Sequence, residues 1–443
     1  MRFKTTWILF AVLVAVAAYF YLIDERRRVA GEHEKRTARK IFPYGPAEVE
    51  RIILNNPAGV TIEMAREDEG WAITAPVRTA GSAPTINLLL QQTVPGQIMD
   101  RIIDIDDLED FGLARPFASV ILFNPHLSRT DTIFIGDKTP TSARCYVRVG
   151  SSDTVLVSRE LTRNVMNKTV YHLRDKNFIY LRPDAVSNMR ILNGRSEISI
   201  DNETGVWRFT STGKRADYMK IEQYLARLSR ALVQEFVTEA TTELASYGLD
   251  RPERRLVLAT PGDTITISFG NEPNHGFHVL RSGLDNVVVL TESFLDIFQY
   301  GADDLRAMNL SFTEPKNIGG IEFDWGGWNL LLQAGTDGWK IAGEDSLPVS
   351  PKTVTTLLTL LSTATFETIL EERFHEPEAG ARSSALYIEL YSRTGEPLDL
   401  VTLEAADGNG DIGGSRSACA TGRLPGGIRL ELLRIIDRIA ALR

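Results

Sequence analysis

Cysteine and histidine are scarce in this chain. Of 443 residues only two are Cys, Cys145 and Cys419, and six are His. The cysteines lie 274 residues apart with no CxxC or Cys/His spacing around them, which excludes a disulfide framework and a zinc site. A single long-range bridge stays open, but two small buried hydrophobes is the better reading. Positive charge is also short. Lys and Arg number 49 against 58 Asp and Glu, a net charge of -9, which argues against a nucleic-acid surface because phosphate binding needs clustered cations. No Walker loop or dinucleotide fingerprint occurs, and Gly414-Ser415 does not make a nucleophile elbow. No residue is assigned as catalytic, cofactor-binding or metal-binding.

What is present is repetition. Gly70-Trp71-Ala72-Ile73 is followed, 41 residues after the Trp, by Gly112 in Phe111-Gly112-Leu113-Ala114-Arg115-Pro116. Trp207 is followed after the same interval by Gly248 in Tyr247-Gly248-Leu249-Asp250-Arg251-Pro252, and Trp339 by Gly380 alone. The steps between copies are 136 and 132 residues, so one supersecondary unit is written three times. The spans are 47–180, 181–312 and a divergent 313–443, after a head at 1–24 and a charged stalk at 25–46. At 443 residues more than one core is required.

Each unit opens with alternating segments. In the first, Val49 to Leu54 and Val60 to Met64 flank Asn55-Asn56-Pro57-Ala58-Gly59, the turn chemistry of a hairpin. The Trp strand follows, with Trp71 and Ile73 on one face. A helix comes next, with Ser82, Asp217 and Ser350 as N-caps and Pro84 and Pro351 in the first turns. The stripes Ile86, Leu89, Leu90; Ile221, Tyr224, Leu225, Leu228; and Val354, Leu357, Leu358, Leu361 give each helix one apolar face. It is expected to lie across its sheet with the Trp beneath as core filling. Further strand signals follow each Gly turn, the third copy ending divergently, and a helix at Ile428 to Leu442 closes the chain. The segment Leu173-Arg174 with Asn177 recurs as Leu305-Arg306 with Asn309 at the joints. The expected fold class is α+β: one N-terminal transmembrane helix, then three antiparallel sheets, each with a packed helix.

Residues Trp7 to Ile23 are an uninterrupted apolar run. At helical rise it spans ~25 Å, near the lower limit for a bilayer core. Ala15-Val16-Ala17 offers a signal-peptide cleavage site, but the run continues to Ile23, which favours an uncleaved anchor. Arg2 and Lys4 precede the run, and Arg26, Arg27 and Arg28 follow it, so the positive-inside rule does not fix the orientation. The short basic head is built like an export signal, so the bulk is expected outside the cytoplasm at the inner membrane.

The Trp-x-Ile strand, the capped helix, the Tyr-Gly-Leu-x-x-Pro turn and the Leu-Arg-x-x-Asn joint resemble a bacterial envelope family, DUF4340, over roughly residues 47 to 310. The resemblance implies a membrane-anchored protein with an extracytoplasmic β-rich domain, often a partner of transporter systems of the gliding-motility auxiliary type. It supplies no catalytic residues.

Three clusters invite chemistry. Asp100, Asp104, Asp106, Asp107, Glu109 and Asp110 form the densest acidic run, read as a solvated segment over a calcium or acid/base site. Asp407 to Gly413 spaces oxygens like a calcium loop, but Ile412 and Ala418 break the EF-hand pattern, and a flexible hairpin loop has the same composition. His275 and His278 would face opposite sides of a strand. Two functions remain: a non-enzymatic anchored scaffold or transporter accessory subunit that binds a protein partner, or an envelope glycan-binding protein or cell-wall hydrolase using Trp325 and Trp328.

Overall fold

Alternating burial organises every sheet. The computed structural model describes residues 41–442 apart from 69, 95–97, 104, 142, 240–242, 273–275, 344–346, 377–384 and 407–409. The apolar run Trp7 to Ile23, Gly380, Asp104, His275 and Asp407 to Asn409 lie outside the described residues.

The first sheet contains β1 (Arg51–Asn55), β2 (Thr61–Glu67), β3 (Gly70–Ala75), β4 (Thr79–Ala80), β5 (Asp100–Ile102), β6 (Ala118–Asn124), β7 (Arg129–Lys138), β8 (Arg144–Val149) and β9 (Val155–Arg159). Its order is β4-β3-β2-β1-β6-β7-β8-β9-β5. In the second, β10 (Asn188–Asn193), β11 (Ser196–Glu203), β12 (Val206–Phe209), β14 (Arg254–Thr260), β15 (Asp263–Phe269) and β16 (Phe277–Arg281) run β12-β11-β10-β14-β15-β16. Here β17 (Val287–Leu290) pairs with β13 (Glu235–Thr238).

The third holds β18 (Ile318–Trp325), β19 (Trp328–Gly335), β20 (Gly338–Ile341), β21 (Pro348–Val349), β22 (Thr368–Glu371), β23 (Leu386–Ser392), β24 (Pro397–Ala405), β25 (Asp411–Ser415) and β26 (Ala420–Leu424). Its order, β21-β20-β19-β18-β23-β24-β25-β26-β22, is that of the first sheet strand for strand. The strands at the divergent end of the third copy therefore pair as those of the first do.

The helices are α1 (Ala83–Thr93), α2 (Glu160–Met166), α3 (Val170–Leu173), α4 (Tyr218–Leu228), α5 (Pro351–Thr363) and α6 (Ile428–Ala440). The apolar stripes read from the sequence are buried in α1, α4 and α5, with Thr93 added in α1. Ser82, Asp217 and Ser350 occupy the N-cap positions, but only Asp217 accepts a backbone bond there, from Lys220 N at 3.1 Å. The Ser82 hydroxyl instead meets Thr85 Oγ1 at 2.9 Å.

The expected α+β class is corrected; the expected N-terminal transmembrane helix, Trp7 to Ile23, lies outside the described residues. The fold is mostly β, 42% strand against 22% helix, and among the described residues no helix is long and apolar enough to cross a membrane. One principal helix of 11 residues serves nine or eight strands in the first two copies, and two helices of 13 residues serve nine strands in the third. Such a helix covers a sheet face without making a helical layer of equal weight.

By contacts the residues group into two compact units. Among the described residues, one lies within 41–178, 232–239 and 285–290; the other lies within 179–231, 243–284 and 291–442. The first contains a core of Ile52, Leu54, Ile62, Met64, Ile73, Ile86, Leu90, Val120 and Leu122, closed at one end by the stacked Phe42 and Tyr44 rings. Tyr44 donates to buried Asp131 Oδ2 at 2.9 Å, and burial together with that carboxylate pushes the phenol pKa up. In the second unit Asp399 holds the matching register on β24. It accepts from Ser311 Oγ at 2.6 Å and Ser417 N at 2.8 Å, which pins the segment leading into β18.

Candidate functional site

The repeated Trp is the natural place to build from, because each copy sets it between a cross-strand neighbour and a helix. Arg66, Asn202 and Ala334 face Trp71, Trp207 and Trp339 across their hairpins. Five residues after each N-cap stand Asn87, Glu222 and Thr355.

In the first two copies the indole is sealed. Trp71 is 4% exposed, its Nε1–H donates to Asn87 Oδ1 at 3.1 Å, and the Arg66 guanidinium lies 4.6 Å from its ring centroid. Trp207 is 1% exposed and donates to Glu222 Oε1 at 3.1 Å. A buried indole N–H needs such an acceptor. In the third copy the indole packs against the core without being sealed in it. Trp339 is half-buried and lines an open cavity of about 320 Å³ beside Thr355. Ala334 cannot cover the ring, and no bond joins the indole to Thr355 among the described residues.

The second pair of indoles sits at a hairpin tip. Trp325 and Trp328 face each other across Gly326-Gly327, whose φ angles of 60° and 82° form the turn. Both are half-buried and line a cavity of about 580 Å³ with Asp437 and Ala440 of α6. On the outer face of the same sheet the Tyr391 hydroxyl lies 2.9 Å from both Glu322 Oε2 and Glu389 Oε2, its one proton donated to either. Nothing in the linear sequence singles out these two carboxylates. They are cross-strand partners on β18 and β23, a proximity that no linear spacing reveals. Burial and the two carboxylates push the Tyr391 pKa up.

The Gly-Leu turns carry structure rather than chemistry. Gly112 and Gly248 end 3-10 turns with φ of 64° and 68°, a conformation glycine adopts without strain. Leu113 and Leu249 then plug into the core. The sequence reading missed their partners, Gly136 and Gly270. A Cβ there would lie 2.2 Å from Phe111 O and 2.1 Å from Tyr247 O, so only glycine lets the turn close on the strand.

The joints are built alike. Ser82 N donates to Leu173 O and Asp217 N to Leu305 O, both at 2.7 Å, so each joint holds the preceding helix start. Bridges pair Asn177 with Leu232 and Asn309 with Thr365. Arg174 and Arg306 are buried to 6% and 7% exposure. Arg174 donates to Glu239 at 2.6 Å over the Phe236 ring, while Arg306 donates to both oxygens of Glu372 at 2.8 and 2.9 Å. Lys214 also pairs with Glu372, and burial draws the Arg306 pKa down.

The clusters weighed from sequence separate here. Asp106, Asp107, Glu109 and Asp110 are exposed, and Asp107 Oδ1 accepts from Glu109 N at 2.9 Å. Asp411 to Gly413 is strand, not loop. Asp411 is buried and its Oδ2 accepts from Arg429 N at 2.9 Å, capping α6. His278 packs edge-on against Tyr247, with ring centroids 5.0 Å apart. Cys145 is buried and Cys419 exposed, with no disulfide between them. Among the described residues no group of three or more His, Cys, Asp or Glu is placed to hold a metal.

No curated protein and no solved structure matches the chain. A family model described as a domain of unknown function, DUF4340, matches residues 99–237 and 207–382. The matched residues begin later than the expected 47 and run past 310 into the third copy. They take in the Gly-Leu turns, both joints and the second and third tryptophan sites with their helices, and on that coverage the chain belongs to the DUF4340 family.

Proposed function

We propose that the chain is a non-enzymatic envelope protein, a scaffold or accessory subunit of a transporter complex that binds a protein partner. Attachment to the inner membrane would come from the apolar run Trp7 to Ile23, with the bulk of the chain extracytoplasmic. The observation that carries this reading is the joint. The same Leu-Arg-x-x-Asn segment is tied twice to a helix start and to the strand-bearing segment beyond, with a buried Arg spent on each tie. Buried guanidinium groups used this way stabilise a fixed surface, and repeated sheet-and-helix units present broad faces suited to protein partners. The test is affinity purification of the full chain from gently solubilised membranes, followed by crosslinking and mass spectrometry. Recovery of one stoichiometric membrane-complex partner is expected, lost on Arg306→Ala. A chain that elutes alone with no crosslinked partner overturns the reading.

The Trp325/Trp328 cavity favours a second reading, glycan binding, because two accessible indoles beside a carboxylate suit stacking and hydrogen bonding to a sugar. Titration calorimetry with cell-wall oligosaccharides tests it. Saturable binding lost on Trp328→Ala supports that function, and no heat removes it.

A further inference from the structure

The third copy is opened at one place where the other two are closed. Around Trp339 four positions change together. The cross-strand residue that covers or flanks the indole is Arg66 in the first copy and Asn202 in the second, but Ala334 in the third. The helix residue that accepts from the indole is Asn87 or Glu222 in the first two, but Thr355 stands here. Each copy begins with a 3-10 turn led by Pro46, Pro183 or Pro315, and the residue after that proline is Ala47, Asp184 or Lys316. After the strands β6, β14 and β23 the next residue is Pro125, Pro261 or Arg393.

Two changes strip the indole of its cover and its acceptor, and two bring cations. Lys316, Arg393, Ala334 and Thr355 all line the same cavity as Trp339, of about 320 Å³, with Ile318 and Leu358 buried at its base. That volume is at the small end of ligand pockets, which run ~300–1,000 Å³. Lys316 has an exposed partner in Glu314 at 2.8 Å, a pair of the kind that contributes little. Arg393 is exposed and makes no ion pair among the described residues.

We propose that this cavity is a binding site for a small organic anion: a planar or alkyl body seated against the Trp339 indole, with a carboxylate or phosphate held by Arg393 and Lys316. An apolar base, an aromatic wall and cations at the rim are complementary to that class. The drift of the third copy is then a change of use. Where the first two copies close the space with their own side chains, the third leaves it for a ligand.

The test is calorimetry on the purified full chain with 2-naphthoate as probe and 2-naphthamide as its neutral counterpart. Quenching of indole fluorescence is read in parallel and assigned with Trp339→Phe. One saturable site is expected. The amide should bind about tenfold more weakly, and Arg393→Ala should cost a similar factor, as loss of one charge-assisted hydrogen bond does. Ala334→Arg with Thr355→Asn restores the first copy's pair and should abolish binding while leaving the melting temperature at or above that of the parent. No saturable naphthoate binding, equal affinity for the amide, or undiminished binding in Arg393→Ala would each overturn the assignment. Arg393→Ala touches an exposed residue, so it decides the matter even if the double variant folds poorly.

Discussion

Trp207 and Trp339 hold the same place in two copies of one sheet and have opposite fates. The first is sealed under α4 and bonded to Glu222; the second lies half-open beside α5 over a cavity. Strand order and helix placement are preserved around both. A fold repeated by duplication can therefore keep its frame while the contacts of a single aromatic decide whether a space is core or pocket. Core residues are held by close packing, so removing two neighbours opens the space without disturbing the hydrogen-bonded ladders.

Substituting the indoles themselves should give the largest effect. Trp207→Ala and Trp71→Ala should each lose about 3–5 kcal/mol of local stability, as large buried aromatics do. Trp339→Ala should lose less than half as much. Hydrogen exchange of the helix amides in α4, α1 and α5 reads the three separately. Equal losses would erase the contrast.

Next in size are the acceptors. Glu222→Leu and Asn87→Leu strand a buried indole N–H and should cost about 1–2 kcal/mol each. Thr355→Val should be neutral within about 0.5 kcal/mol, since no indole bond depends on it. A smaller effect should separate the faces. Arg66→Ala removes a guanidinium stacked on Trp71, worth about 0.5–1 kcal/mol at an exposed site. Ala334→Arg should protect Trp339 from acrylamide quenching without moving the other indoles. If Trp339 proves no more quenchable than Trp207 in single-Trp variants, the difference between the copies disappears.

Much of the frame was legible in the order of residues. The helix stripes, the cap positions, the Gly-Leu turns and the recurrence of the joint all follow from local periodicity and turn chemistry. The weight of β structure was underestimated, because short strands such as β4 and β21 leave almost no pattern. The strand β25 was hidden by its glycines. Gly413 reads as loop, yet a Cβ on it would meet Leu424 at 2.5 Å and one on Gly414 would meet Thr421 at 2.8 Å, so both are small because neighbours crowd them. The same holds for Gly136 and Gly270, whose need is set by a turn over twenty residues away. The open cavity was invisible for a related reason. Its Lys316 and Arg393 are 77 residues apart, and neither belongs to the Trp motif.

The residue order alone determined that one module is written three times, where its helices begin, and which face of each is apolar. Those are short-range matters, fixed by side-chain spacing and backbone preference within a dozen residues. Only tertiary structure decided that the third indole borders a cavity as well as the core, that Asp411 caps a helix, and that Arg174 and Arg306 are spent on joints. Each of these depends on which distant side chains arrive at the same point, and that meeting exists only once the sheets have formed.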